Sequence, residues 1–215
     1  MSAQLEARGR MMLRLREAGV TDAHVLARME TVSRADFVDA PELALLALED
    51  GVLPIPCGQV MLRPGLVGLL LQALGLAPGS GARVLLVGAG SGYMAALLAG
   101  LAGPVIAVER YGRLVEEARG RLARLGVKGA EVHHADGLEG WLDGAPYDRI
   151  LLAGQVQAVP EVLLAQLAPQ GRLVAPAGPP GAAAELVTCG PEGEAARLPL
   201  FQRAPMLRPG RSQVL

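Results

Sequence analysis

In the stretch VLLVGAGSGY, positions 84–93, an apolar run ends in Gly88, Gly90 and Gly92, and two acids follow downstream, Glu109 closing VIAVE and Asp136 within HHADG. A strand that ends in glycines and feeds a helix lets a ligand approach the backbone, because no Cβ holds it off and the helix N–H groups face it. The spacing is G-x-G-x-G, with Tyr93 where a dinucleotide site would place its third glycine, so a pyrophosphate is disfavoured. Glu109 lies about twenty residues beyond the first glycine, where an acid accepts hydrogen bonds from both ribose hydroxyls. Asp136, at the edge of a third strand, can accept one from an exocyclic adenine amine. Adenosine without pyrophosphate accounts for the glycine spacing and both acids, and S-adenosyl-L-methionine is the ligand that fits.

The elements that must position these residues are visible in the periodicity. From Arg83 onward, short apolar segments (RVLLVG, PVIAVE, AEVHHAD, YDRILLAG, GRLVAPAG) alternate with helical ones from Ser91, from Tyr111 to Leu125 and from Pro160 to Leu167. That rhythm specifies an α/β fold, a doubly wound and mainly parallel sheet of seven strands. Its last two strands, AELVTCG and EAARLPLFQ, flank a Pro-Gly turn and fit an antiparallel pair at the sheet edge. Ahead of the sheet, the first fifty or so residues predict a helical subdomain. Its first helix closes at Gly19, Thr21 or Asp22 caps a second, and Pro41 opens a third, PELALLALEDG. Between Val52 and Gly65 the density of Pro and Gly predicts an irregular loop, followed by a buried helix, GLVGLLLQALGL. The expected organisation is 1–64 as helical segment and substrate loop, 65–201 as the cofactor-binding core, and 202–215 as a coil tail.

Composition narrows the class. With 20 basic and 21 acidic residues the chain has a formal net charge of -1, so no field favours nucleic acid or an anionic membrane. Cys57 and Cys189 stand far apart, as neither a disulfide scaffold nor a zinc cluster would have them, and the charged N-terminus has no apolar signal core. A cytoplasmic protein follows. Positions 84–108 are 25 residues without a charge, but five glycines, Ser91 and Pro104 divide them into strand, turn, helix and strand rather than a membrane span. His133 and His134 alternate faces of a strand and form no metal set, so no metal is expected. Asp148, opening YDRILL, reads as structural.

Over roughly 13–178 the sequence resembles the protein-L-isoaspartate O-methyltransferases. VSRADFVD is similar to that family's Arg-x-x-Phe-Val segment, LPIPCGQVMLRP to its Leu-Pro-Ile then Gly-Gln loop, VLLVGAGSGY to its cofactor motif, AVER to its ribose acid, ADG to its adenine-side motif, and GRLVAPAG to its late strand. The resemblance implies carboxyl O-methylation of isoaspartyl residues in damaged proteins, by a monomer using S-adenosyl-L-methionine. The expected cofactor residues are Gly88, Gly90, Ser91, Gly92, Glu109, Arg110, Asp136 and Gly137, with Pro54 to Pro64 over the substrate. Where the family loop continues Gly-Gln-Thr-Ile-Ser-Gln-Pro, this chain reads Gly58, Gln59, Val60, Met61, Leu62, Arg63, Pro64. Two hydroxyls that would meet the substrate carboxylate are replaced by apolar side chains. Gly58 and Gln59 are expected substrate contacts by resemblance, and Arg63 by chemistry, as a charged bidentate donor. The rewritten loop leaves three readings open: isoaspartyl repair, a methyltransferase with a changed acceptor, or a retired cofactor-binding protein. A nicotinamide dehydrogenase is disfavoured by Tyr93.

Overall fold

The computed structural model describes residues 2–200 and 204–212. Two helices open it, α1 (Ser2–Glu17) and α2 (Ala23–Thr31). Asp22 caps α2, its carboxylate accepting from the N–H groups of His24 (2.8 Å) and Val25 (3.0 Å). A 3-10 turn at Arg34–Phe37 leads to α3 (Pro41–Leu46), which stops short of the expected Gly51. The expected irregular loop is instead a β-hairpin, β1 (Leu53–Ile55) against β2 (Gln59–Met61). Its turn is closed by the Gln59 N–H donating to the Pro56 carbonyl (3.3 Å), with positive φ at Cys57 (61°) and Gly58 (65°) as a type I′ turn requires. The buried helix α4 (Pro64–Leu74) follows, with Pro at its first turn and left-handed Gly75 at its end.

Seven strands then form the sheet: β3 (Val84–Val87), β4 (Val105–Glu109), β5 (Ala130–His134), β6 (Tyr147–Leu152), β7 (Leu167–Ala177), β8 (Glu185–Gly190) and β9 (Gly193–Pro199). Their order is β5-β4-β3-β6-β7-β8-β9, parallel through β7 and antiparallel for the last two. The expected class and edge pair are therefore found, with Phe201 and Gln202 of the last predicted strand lying outside the described residues. Helices α5 (Tyr93–Ala99), α6 (Gly112–Arg124) and α7 (Glu161–Leu164) form the crossovers. Predicted from Pro160 to Leu167, α7 is a single turn, because Leu167 pairs with Tyr147 and starts β7 early.

Both faces of β3, an inner strand of the sheet, are dry. Val84 and Leu86 of β3 enter a core shared with α1, α2, α4, α5 and α6, whereas Leu85 and Val87 enter one completed by α7, Leu138 and Trp141. Burial on both sides is why this strand reads as a continuous apolar run. Among the described residues no helix is long and apolar enough to cross a membrane.

Two arginines, half-buried Arg28 and buried Arg34, tie the N-terminal helices and hairpin to the rest of the fold. Arg28 donates to the Ala96 carbonyl (2.7 Å) at the end of α5. Arg34, 1% exposed, donates to the carbonyls of Gly51 (2.7 Å) and Leu62 (2.9 Å), with longer bonds to Ala47, Glu49 and Met61. One guanidinium therefore fixes both ends of the hairpin. Desolvation lowers its pKa to about 10, Tyr93 and Asp50 opposing the shift, so it is charged at neutral pH. Arg34→Met should lower the unfolding free energy by about 3 kcal/mol, because buried carbonyls lose their donors. Arg34→Lys, lacking the planar fork, should recover only part of that. Urea titration checks both, and a loss below about 1 kcal/mol for the Met variant would mean that the carbonyls find other donors.

Candidate functional site

The chain runs outward from β3 to β4 and β5 on one side and to β6 and β7 on the other, so the crevice opens where the strand order reverses. At the carboxyl end of β3 the turn to α5 takes three left-handed glycines, Gly88 (φ 89°), Gly90 (φ 53°) and Gly92 (φ 91°). The N–H groups of Gly88 (2.8 Å) and Ala89 (3.2 Å) both donate to the Val108 carbonyl, bending the turn back over β4.

Glu109 fixes that turn. Its Oε2 accepts from the Gly90 N–H (2.9 Å) and its Oε1 from the Tyr111 N–H (3.0 Å), with the side chain 6% exposed. Each carboxylate oxygen has a second lone pair, so the acid can hold the turn and still accept from a diol. Asp136 uses its oxygens similarly, Oδ1 accepting from the Leu138 N–H (2.9 Å) and Oδ2 from the Gly210 N–H. Gly137 is required by close packing, since a Cβ there would lie 2.6 Å from Cγ1 of Val87.

These groups meet in one cavity of about 560 Å³, within the range of small-molecule sites. Of the predicted residues, Gly58, Gln59, Gly88, Gly90, Glu109, Arg110, Asp136 and Gly137 line it. Three do not. Ser91 is 3% exposed and faces a smaller recess, its carbonyl accepting from Arg121 (3.3 Å). Gly92 caps α5 and lies close against Ala118. Arg63 is the exposed residue before α4 and contributes to neither cavity nor recess, because the helix that starts at Pro64 places it on the outer surface.

The hairpin forms one wall, through Ile55, Cys57, Gly58, Gln59 and Val60. The Gln59 amide donates to the Cys57 carbonyl (3.2 Å) and to the Tyr111 hydroxyl (3.4 Å), joining the hairpin to the start of α6. Burial pushes the Cys57 thiol up, so it is not a thiolate nucleophile at neutral pH. Beyond Val60 the recess, about 40 Å³, is bordered by Met61, Leu62, Gly88, Gly90, Tyr93, Met94 and Ala153 among others. Leu62 is 5% exposed and part of the core.

The opposite wall is the segment expected to be coil. Residues 204–212 cross the carboxyl edge of the sheet as a strap: the Gln155 N–H donates to the Pro205 carbonyl (2.7 Å), the Leu207 N–H to the Gln155 carbonyl (2.8 Å), and the Ser212 N–H to the Arg110 carbonyl (2.8 Å). Pro205, Met206, Leu207 and Arg208 line the cavity. Gly154 accommodates the strap, since a Cβ there would lie 2.9 Å from Leu207. The sequence signals for this wall were the Gly154-Gln155 pair after β6 and the apolar Pro-Met-Leu within a polar tail. Tyr111 was also missed, although it directly follows Glu109 and Arg110.

The two histidines make contacts within the fold. His134 donates to the Arg110 carbonyl (2.9 Å) and His133 stacks on Trp141 at 4.4 Å. Asp148 accepts from the Arg83 N–H (2.7 Å). Among the described residues no group of three metal-ligating side chains comes together.

Comparison with known proteins agrees with this geometry. Residues 6–194 match the family profile of Protein-L-isoaspartate(D-aspartate) O-methyltransferase (PCMT). The chain is 48% identical over 176 residues to a Protein-L-isoaspartate O-methyltransferase of Methylorubrum populi, covering 81% of each. It is 49% identical over 178 residues to one of Methylorubrum extorquens, covering 82% of this chain and 76% of that protein. Among solved structures, a protein-L-isoaspartate O-methyltransferase superposes with TM-score 0.76 at 25% identity over 92% of this chain and 67% of the other. A Plasmodium falciparum protein in complex with S-adenosyl-L-homocysteine superposes with TM-score 0.75 at 22% identity, covering 93% of this chain and 97% of that one, a likeness of fold.

Glu109→Gln leaves one oxygen where two hold N–H groups. S-adenosyl-L-homocysteine should bind at least about tenfold more weakly, with a stability loss of about 1–3 kcal/mol. Calorimetry and thermal unfolding measure the two together, and unchanged affinity would remove Glu109 from the ligand site.

Proposed function

This chain belongs to the protein-L-isoaspartate O-methyltransferase family, and from that premise we propose that its crevice binds S-adenosyl-L-methionine and methylates the free carboxylate of isoaspartyl residues in damaged proteins. The observation that carries the reading is the convergence of Gly88, Gly90, Glu109, Asp136 and Gly137 in one cavity under the Gly58-Gln59 turn. The cavity fits the cofactor in chemistry as well as size. Glu109 retains acceptor capacity for the ribose hydroxyls, Asp136 for the adenine amine, and Gly88 and Gly90 leave the backbone open to the ligand.

When bound, the cofactor supplies an electrophilic methyl group on a sulfonium. The chain's own task is then small, because a carboxyl group with a pKa of about 4 is already anionic and needs no general base. The residues around the cavity agree: Glu109 and Asp136 each accept backbone N–H groups, no histidine lines it, and Cys57 is a neutral thiol. Hairpin and strap hold the acceptor against the recess and exclude water, a proximity effect worth up to roughly 7–11 kcal/mol. Gly58 and Gln59 are assigned to the substrate side, and the protein is read as a cytoplasmic monomer acting on polypeptides.

The decisive experiment transfers labelled methyl from S-adenosyl-L-methionine to matched peptides carrying isoaspartate or aspartate, scored as base-labile ester. Ester on the isoaspartyl peptide alone is expected, and none on either would end the repair reading. Restoring the family hydroxyls should have unequal effects. Val60→Thr, at the cavity wall, should keep the fold and lower KM for the isoaspartyl peptide. Leu62→Ser should destabilise by about 2–3 kcal/mol, because that position belongs to the core. Equal stability of the two variants in urea would contradict this placement.

A further inference from the structure

An acceptor carboxylate brings a full negative charge into the cavity, and it needs a donor that the hairpin's side chains do not supply. Val60 and Leu62 are apolar, Arg63 lies outside the cavity, and the Gln59 amide is already bonded to the Cys57 carbonyl and the Tyr111 hydroxyl. Two cations line the cavity, Arg110 and Arg208. Arg110 directly follows the ribose acid, and its guanidinium lies over the Tyr111 ring, 5.1 Å from the centroid, on the adenosine side. Arg208 comes from the other wall, and it has no hydrogen-bond or ion-pair partner among the described residues.

The backbone around Arg208 is pinned. The Leu207 N–H before it donates to the Gln155 carbonyl (2.8 Å), and the Gly210 N–H after it donates to Asp136. The Leu207 side chain packs where Cβ atoms on Gly88 and Gly154 would stand, 3.5 and 2.9 Å away. Arg208, itself exposed, therefore stands at the cavity rim between the Gln155 and Asp136 anchors, just beyond the ends of β6 and β5.

Resting on the proposed activity, we propose that Arg208 is the specificity-determining residue for the acceptor, its guanidinium taking the carboxylate in place of the hydroxyls absent from positions 60 and 62. The planar fork suits a carboxylate bidentately, and its attachment to a fixed strap limits the ordering that binding demands.

The test uses the full chain with Arg208→Gln and Arg208→Lys, an isoaspartyl peptide otherwise free of charged side chains, and S-adenosyl-L-homocysteine as cofactor probe. Arg208→Gln should raise KM for the peptide by roughly tenfold or more, with kcat and S-adenosyl-L-homocysteine affinity within about twofold, and Lys should restore much of the loss. The wild-type KM should also rise with ionic strength more steeply than that of the Gln variant. An unchanged KM in Arg208→Gln overturns the proposal, as does a loss of cofactor affinity that tracks the rise in KM, which would make Arg208 part of the adenosine site or a support of the strap. A wild-type protein that forms no ester would instead overturn the activity itself.

Discussion

The carboxylate of Glu109, bonded at once to the Gly90 N–H and the Tyr111 N–H, is the constraint on which the rest of the site depends. A buried charge is tolerated only where donors replace its water, and here both come from backbone. The same bonds fix the distance between the left-handed turn after β3 and the end of β4. If the turn relaxed, Gly90 would lose its acceptor and the carboxylate would keep only the Tyr111 N–H. Ligand geometry and local stability are thus two consequences of one pair of hydrogen bonds, and the acid cannot be exchanged for an apolar residue without losing both.

Around this centre the cavity is assembled from chain segments far apart in sequence. The hairpin buries Leu53 and Met61 in the core and is held by Arg34 through the carbonyls at its ends. The strap has no regular structure and is held by Gln155, Asp136 and Arg110. Gln155, 3% exposed, is itself anchored by its amide donating to the Gly178 (3.1 Å) and Pro179 (3.2 Å) carbonyls, so the end of β7 bears on the position of the strap. Each wall gets its position from bonds made elsewhere in the fold, the hairpin from the Arg34 side chain and the strap mainly from backbone–backbone bonds to Gln155 and Arg110.

That difference explains which parts could be read in advance. The sheet order, the edge pair and the glycine and acid signals were legible because each is written locally: a dry parallel strand is a continuous apolar run, and a ligand turn is a strand followed by glycines. Gly88, Gly90, Glu109, Asp136 and Gly137 accordingly reached the cavity. The hairpin read as loop because three-residue strands carry too few positions for alternation to show. The strap read as coil because the hydrogen bonds that order it come from partners fifty or more residues away in sequence. Arg63 has the chemistry for a carboxylate, but where its side chain lies is decided by its place just before Pro64. Likewise Ser91 and Gly92 belong to the glycine motif yet serve the turn's packing, a distinction that spacing does not carry.

A reaction that needs no base divides its demands unevenly over the site. The cradle of glycines and acids must satisfy buried backbone donors as well as a ligand, so changes there are penalised twice. The acceptor wall has only to place an oxygen that is already nucleophilic and keep water out, which many side chains can do. Loss of a hydroxyl at position 60 removes a binding contact from that wall but leaves the turn, the acids and the sheet untouched. Physical economy therefore allows the acceptor side to be rewritten, with Leu62 packed in the core and Val60 at the cavity wall while recognition of charge moves to another wall. The apolar hairpin and an intact cofactor cradle are for that reason compatible features of one enzyme, the first setting how the substrate is held and the second whether the reaction can occur.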